Sequence, residues 1–189
     1  MNYIFTVSGF TQKFWAKHGN GSRDIHKAMR KHAGEHTEIV ICMWKQNPRG
    51  YARKVAADYK AGDKIQINVY SYGGGWWLME FLDELNKIAP HIEVDTVVAC
   101  DPVLRYPWYL FPLKIRAVIG KQTLELPSNV KRAVHFYQTN NKPGGDYFVV
   151  SEGTVLVSTE ELDYTHSKID NSAEYLEAAT FEANRLFAA

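Results

Sequence analysis

Apolar residues along this chain fall into two alternating kinds of run. Short stretches of β-branched and aromatic residues are followed by longer ones with apolar positions three and four apart. Tyr3 to Ser8 reads as a first strand, and Arg23 to His32 as a helix with a Gly/Ser N-cap region before it. Glu38 to Trp44 is a second strand, and Pro48 to Lys60 a helix opened by proline in its first turn and closed by Ala61-Gly62. Lys64 to Tyr70 predicts the third strand and Gly74 to Ile88 the helix behind it. Val94 to Cys100 is apolar without alternation, the pattern of a strand covered on both faces. Val130 to Gln138 is a fifth strand. Tyr147 to Val150 and Thr154 to Val157 read as a hairpin around Ser151-Glu152-Gly153, and Ala173 to Phe187 as the last helix. No internal repeat, low-complexity tract or linker interrupts the series. Strands alternating with helices imply right-handed crossovers and a mostly parallel sheet. The expected fold is therefore α/β, a three-layer α/β/α sandwich, with residues 1–189 forming one domain.

Composition narrows the function classes. Of the 189 residues 46% are hydrophobic and 23% charged, and the formal net charge is +1 with no long run of either sign. That argues against nucleic acid or an anionic membrane surface as a partner. No apolar segment approaches the roughly 20 residues of a membrane span. Met1 to Val7 lacks a basic flank and a small-residue cleavage site, so it reads as a strand and not a signal peptide. Cys42 and Cys100 each sit within an apolar strand pattern, which predicts two free core thiols and a cytoplasmic, reducing location.

The stretch with most chemical content runs from Ile65 to Gly75. Its β-branched run breaks at Ser71 and continues through Tyr72 into Gly73-Gly74-Gly75, ahead of a helical pattern. A serine in a sharp strand-to-helix turn is forced to hold its hydroxyl clear of the sheet edge. The helix N-terminus and the Tyr72 amide then face the space where an oxyanion would form. In parallel sheets ligands bind at the carboxyl ends of strands, so chemistry should gather there. Ser8-Gly9-Phe10 follows the first strand, Ser71 the third, and Asp101, in Cys100-Asp101-Pro102, the fourth. A serine hydroxyl needs a base, and the base a group that holds its tautomer. His166, in the polar loop before the last helix, is the candidate base and Asp101 the candidate acid. Asp146, Asp163 and Asp170 remain alternative acids, the last two close enough in sequence to meet His166 locally.

These residues resemble a known family. Val69-Tyr70-Ser71-Tyr72-Gly73, Asp101-Pro102 after the next strand and His166 in a late loop are similar to a small α/β-hydrolase, with an acid placement like that of pancreatic-type lipases. The strand that carries the acid in many α/β-hydrolases, Ala133 to Gln138, is followed here by Thr139-Asn140-Asn141 and no carboxylate. The resemblance implies a minimal α/β-hydrolase fold with Ser71 as nucleophile, His166 as general base and Asp101 as its orienter. It implies an oxyanion hole from the amides of Tyr72 and of Gly9 or Phe10. It also implies that residues 104–128 form either a lid or an ordered loop on the sheet, with Trp108 and Tyr109 contacting substrate. One departure stands out: the small residue expected two positions before the serine is Val69.

Other signals carry less. His32-Ala33-Gly34-Glu35-His36 has the H-x-x-E-H spacing of some zinc peptidases, but Gly34 and the following strand break the helix that would align both imidazoles. Gly73-Gly74-Gly75 lacks the lysine and Ser/Thr of a phosphate loop. Cys100 precedes its strand end and points into the sheet. The expectation is a serine hydrolase acting on a small-molecule carboxylic ester or thioester, with no metal and no cofactor. The alternative is a catalytically silent α/β-hydrolase-like binding domain.

Overall fold

A computed structural model describes residues 1–9, 20–32, 34–104, 123–141 and 144–187. In chain order the elements are β1 (Asn2–Ser8), α1 (Gly21–Met29), β2 (Thr37–Met43), α2 (Pro48–Asp58), β3 (Ile65–Tyr70), α3 (Leu78–Ile88), β4 (Thr96–Cys100), β5 (Thr123–Leu126), β6 (Arg132–Tyr137), β7 (Tyr147–Val150), β8 (Val155–Glu161) and α4 (Ala173–Phe187). Six strands form one sheet in the order β2-β1-β3-β4-β6-β8, and every neighbouring pair is parallel. β5 and β7 form a separate parallel pair. The protein is thus an α/β molecule built on a parallel sheet.

Strand alternation distributes the apolar residues to two clusters. Tyr3, Phe5 and Val7 of β1, Ile65, Ile67 and Val69 of β3, and Val97 and Ala99 of β4 pack with Ala52 and Val55 of α2 and Leu78, Phe81, Leu82 and Leu85 of α3. The residues between them, among them Ile4, Tyr70, Val98 and Cys100, pack with Ile25 and Met29 of α1 and Tyr175, Ala179 and Ala183 of α4. Both sides of each central strand are therefore covered: every residue of β3 and β4 is buried, and β4 after Thr96 is continuously apolar. Gln66 and Asn68 are the polar members of β3. Gln66 Nε2 donates to Asn68 Oδ1 and to the Ala179 carbonyl of α4, each at 2.9 Å, which satisfies both N–H groups of that amide inside the protein.

Several sequence expectations need correcting. Tyr147 to Val150 and Thr154 to Val157 are not a hairpin: β7 pairs with β5 and β8 with β6, both in parallel. Gly153, at φ 92°, reverses the chain between them as a hairpin turn would, but the two strands enter different sheets. Residues 123–126 are strand and not lid or loop, while residues 105–122 lie outside the described residues. The α1 cap is Asn20, whose side chain accepts from Arg23 N, with Gly21 and Ser22 already inside the helix. The helix behind Ser71 opens as a wide π turn over Gly73–Trp77 before α3 begins.

The strand order places the site. Starting from β1, the chain goes to one side for β2 and to the other for β3, so the connections after β1 and β3 diverge. That divergence opens a crevice at the carboxyl ends of these two strands. Ser8-Gly9 and Ser71 are the residues on its two sides. No described helix is long and apolar enough to cross a membrane.

Candidate active site

Ser71 follows β3 with φ 51°, a left-handed conformation that only tertiary restraint holds in a residue bearing a side chain. The restraints are visible. Ser71 N donates to the Cys100 carbonyl at 3.1 Å, and the Ser71 carbonyl accepts from Gly74 N, Gly75 N and Val103 N at 2.9–3.0 Å. The three glycines are needed because other chain segments approach them. A Cβ on Gly73 would lie 2.9 Å from the Ser8 carbonyl oxygen, one on Gly74 would lie 2.8 Å from Pro102 Cβ, and one on Gly75 would lie 2.1 Å from the Val103 carbonyl carbon. Gly74 and Gly75 are close-contact positions, not slack in the chain. Gly74 also makes room for Val69, whose Cγ2 would be 3.3 Å from a Cβ there. The bulk two residues before the serine is taken up by missing bulk three residues after it.

Asp101 repeats the arrangement one strand over. It follows β4 with φ 45°, is fully buried, and its amide donates to the Phe136 carbonyl of β6 at 2.7 Å. The two reversals turn the Ser71 and Asp101 side chains toward the loop between β8 and α4, where His166 lies. Ser71 Oγ is 2.8 Å from His166 Nε2, and His166 Nδ1 is 2.5 Å from Asp101 Oδ2. An ionised carboxylate can only accept, so Nδ1 carries the proton and Nε2 keeps the lone pair that faces the Ser71 hydroxyl. Ser71 is 5% exposed, the His166 side chain 15% and Asp101 not at all, so the imidazole is the most exposed of the three and the aspartate is shut off from solvent.

The loop that carries His166 is pinned by groups the sequence did not single out. Tyr70 Oη donates to the His166 carbonyl, and its ring stacks on the imidazole at 5.3 Å between centroids. Burial pushes the Tyr70 phenol far up, reinforced by the charges of Asp170 and Asp101 and by Cys100, so it stays a neutral donor. Asn141 Oδ1 accepts from His166 N at 2.8 Å. Gln138 donates twice to Asp101, from its main-chain N at 3.2 Å and from Nε2 at 3.0 Å. An uncharged amide at the end of a strand carries no chemical signal in the sequence; only its buried partners give Gln138 a place here.

The alternative acids sit elsewhere. Asp163 accepts from Asn140 Nδ2 at 2.8 Å, Asp170 from Gly21 N at 2.9 Å, and Asp146 from Leu104 N at 2.6 Å. Burial, with the neighbouring charges of Asp101 and Asp170, pushes the Cys100 thiol well up, which leaves it protonated and inert. Glu35 and His36 fall in the turn after the short helix Arg30–His32, so the H-x-x-E-H residues do not share a helical face. Among the described residues no group of three His, Cys, Asp or Glu side chains could hold a metal ion.

Gly9 lies against the serine, since a Cβ on it would be 2.9 Å from Ser71 Cβ and 2.7 Å from the Tyr70 ring. Tyr72, the next residue after Ser71, is buried against Trp44 and Trp76, with ring centroids 4.6 and 6.2 Å away. Phe10, Trp108 and Tyr109 lie outside the described residues. No family model, no curated protein and no solved structure matches the chain.

Proposed function

We propose that the protein is a serine hydrolase that cleaves a carboxylic ester or thioester through an acyl-enzyme. The observation that carries this reading is the unbroken contact Ser71 Oγ–His166 Nε2, His166 Nδ1–Asp101 Oδ2, held at the carboxyl ends of β3 and β4 by two residues with positive φ. Ser71 Oγ attacks the carbonyl carbon while His166 Nε2 takes its proton, and Asp101 stabilises the imidazolium. The amides of Tyr72 and Gly9 are the proposed donors to the oxyanion. His166 then gives the proton to the leaving alcohol or thiol. Water, deprotonated by the same imidazole, hydrolyses the acyl-Ser71 bond, which releases the acid and restores the hydroxyl. None of these steps calls for a cofactor.

Fold and site support each other in this reading. Two apolar clusters, one with α2 and α3 and one with α1 and α4, are what a three-layer sandwich of the minimal α/β-hydrolase type requires. The clearance at Gly74 answers the one departure from the elbow pattern, Val69. Two free, buried cysteines agree with a cytoplasmic location.

The test is covalent labelling with a fluorophosphonate, read by intact mass. The expected result is a single adduct on the wild-type protein and none on Ser71→Ala, followed by turnover of p-nitrophenyl esters. Stoichiometric labelling of Ser71→Ala would sink the nucleophile assignment. A folded wild-type protein that takes up no label would point to a silent binding domain.

A further inference from the structure

The carboxyl end of β6 carries a side chain that touches both fixed parts of the proposed site. Gln138 is fully buried and offers two N–H groups to the Asp101 carboxylate, one to each oxygen. The same side chain binds the loop that follows. Its Oε1 accepts from Asn141 N at 3.0 Å, and its Nε2 reaches the Asn141 carbonyl at 3.3 Å. Asn141 in turn accepts the main-chain N–H of His166 at 2.8 Å. One amide therefore joins the loop after β4, the loop after β6 and the loop that bears the imidazole.

Asp101 has no exposed surface, so solvent does not fix the plane of its carboxylate. His166 Nδ1 engages Oδ2 alone. The Gln138 main-chain N–H holds Oδ1 whatever the side chain, and Gln138 Nε2 shares Oδ2 with His166 Nδ1, so the side-chain amide adds the second donor that keeps Oδ2 turned toward the imidazole. An amide suits this position because it donates to Asp101 and accepts from Asn141 at once. A carboxyl group would place a second ionisable acid beside a buried one.

We propose that Gln138 is a positioning residue: it fixes the Asp101 carboxylate directly and the His166 backbone through Asn141, so that Nε2 stays aligned with the Ser71 hydroxyl. The assignment rests on the hydrolase reading of the same site. Among the described residues, the titratable groups in contact with the imidazole are Asp101 from the end of β4 and the neutral Tyr70 of β3; on its own loop, Asp163 and Asp170 hold Asn140 and Gly21.

The experiment measures the fluorophosphonate labelling rate against pH for the wild type, Gln138→Leu, Gln138→Glu and Asn141→Ala, with thermal unfolding of each. Gln138→Leu is expected to slow labelling by roughly tenfold to a hundredfold, the loss that goes with a small misalignment of reacting groups. Gln138→Glu is expected to move the acid limb of the rate to higher pH, because a second buried carboxyl favours the imidazolium. Asn141 is exposed, so Asn141→Ala leaves the core intact, and its slower labelling carries the test if the buried Gln138→Leu does not fold. Wild-type rates with an unmoved limb, in every variant that folds, would overturn the proposal. If the folded wild type takes no label at all, the hydrolase reading fails and the His166 NMR spectrum decides. Changed imidazole nitrogen shifts in Gln138→Leu, which adds no charge, support the positioning role, and unchanged ones refute it.

Discussion

Ser71 and Asp101 are the only described residues other than glycine with positive φ, and each follows a central strand directly. Such a backbone costs on the order of 1–3 kcal/mol per residue, so the surroundings must over-determine it. Here they do so by proximity. The Ser71 carbonyl is held by three N–H groups, and the chain from Pro102 to Leu104 lies directly against Gly74 and Gly75. Gly145 plays the same part for Asp101, since a Cβ there would fall 2.1 Å from Asp101 Oδ1. Gly75→Ala pushes a methyl into the Val103 main chain, which cannot swing aside as a side-chain tip could. The expected outcome is a loss of more than about 2 kcal/mol, a drop in Tm of roughly 5 °C or more. A thermal melt of the variant within a degree of wild type would show that this contact is not as close as described.

At the scale of elements, α4 does more than cover the sheet. Tyr175, fully buried, donates from Oη to the Val69 carbonyl at 2.9 Å, two residues before Ser71. At its other end Glu182 is buried between Arg132 of β6 and Arg185, with Oε–Nε distances of 3.0 and 2.7 Å, and accepts from Thr96 Oγ1 of β4. The helix is thus tied at one end to the strand that delivers the serine and at the other to β4 and β6. Tyr175→Phe keeps the ring and removes the donor, which leaves the Val69 carbonyl without that partner in a buried site. We expect a loss of about 1 kcal/mol, seen as a fall in Tm of roughly 2–4 °C in thermal unfolding. No change would mean that the carbonyl finds another donor. Where an element's own residues dictated it, its position was legible: Pro48 opens α2, and α4 spans Ala173–Phe187 as its apolar spacing requires. β5 was missed because four residues alternating exposed and buried are too short a signal to stand out in a region rich in prolines and aromatics.

For the molecule as a whole, cover on both faces of the central strands keeps the interior inaccessible. Cys42 and Cys100 are fully buried, and burial pushes both thiols up, so neither is a nucleophile in the native state. Maleimide is expected to leave the folded protein unmodified and to add at both cysteines in denaturant, so that the rate of modification reports opening of the central sheet. Rapid modification of Cys100 under native conditions would show that the β4 end opens locally next to Asp101. The sequence by itself determined the strand–helix alternation, the parallel character of the main sheet and the candidates Ser71, Asp101 and His166. Those follow from residue type and spacing along the chain, which local physics reads directly. Tertiary structure alone decided which strands pair, as with β7 and β8, because a turn at Gly153 suits a hairpin and a crossing equally well. It alone brought Asp101, and not Asp163 or Asp170, to His166, since nearness in space at the carboxyl edge of the sheet is unrelated to nearness in sequence. It likewise revealed Gln138, whose importance lies in the partners that surround its amide and not in the residue type that the chain presents.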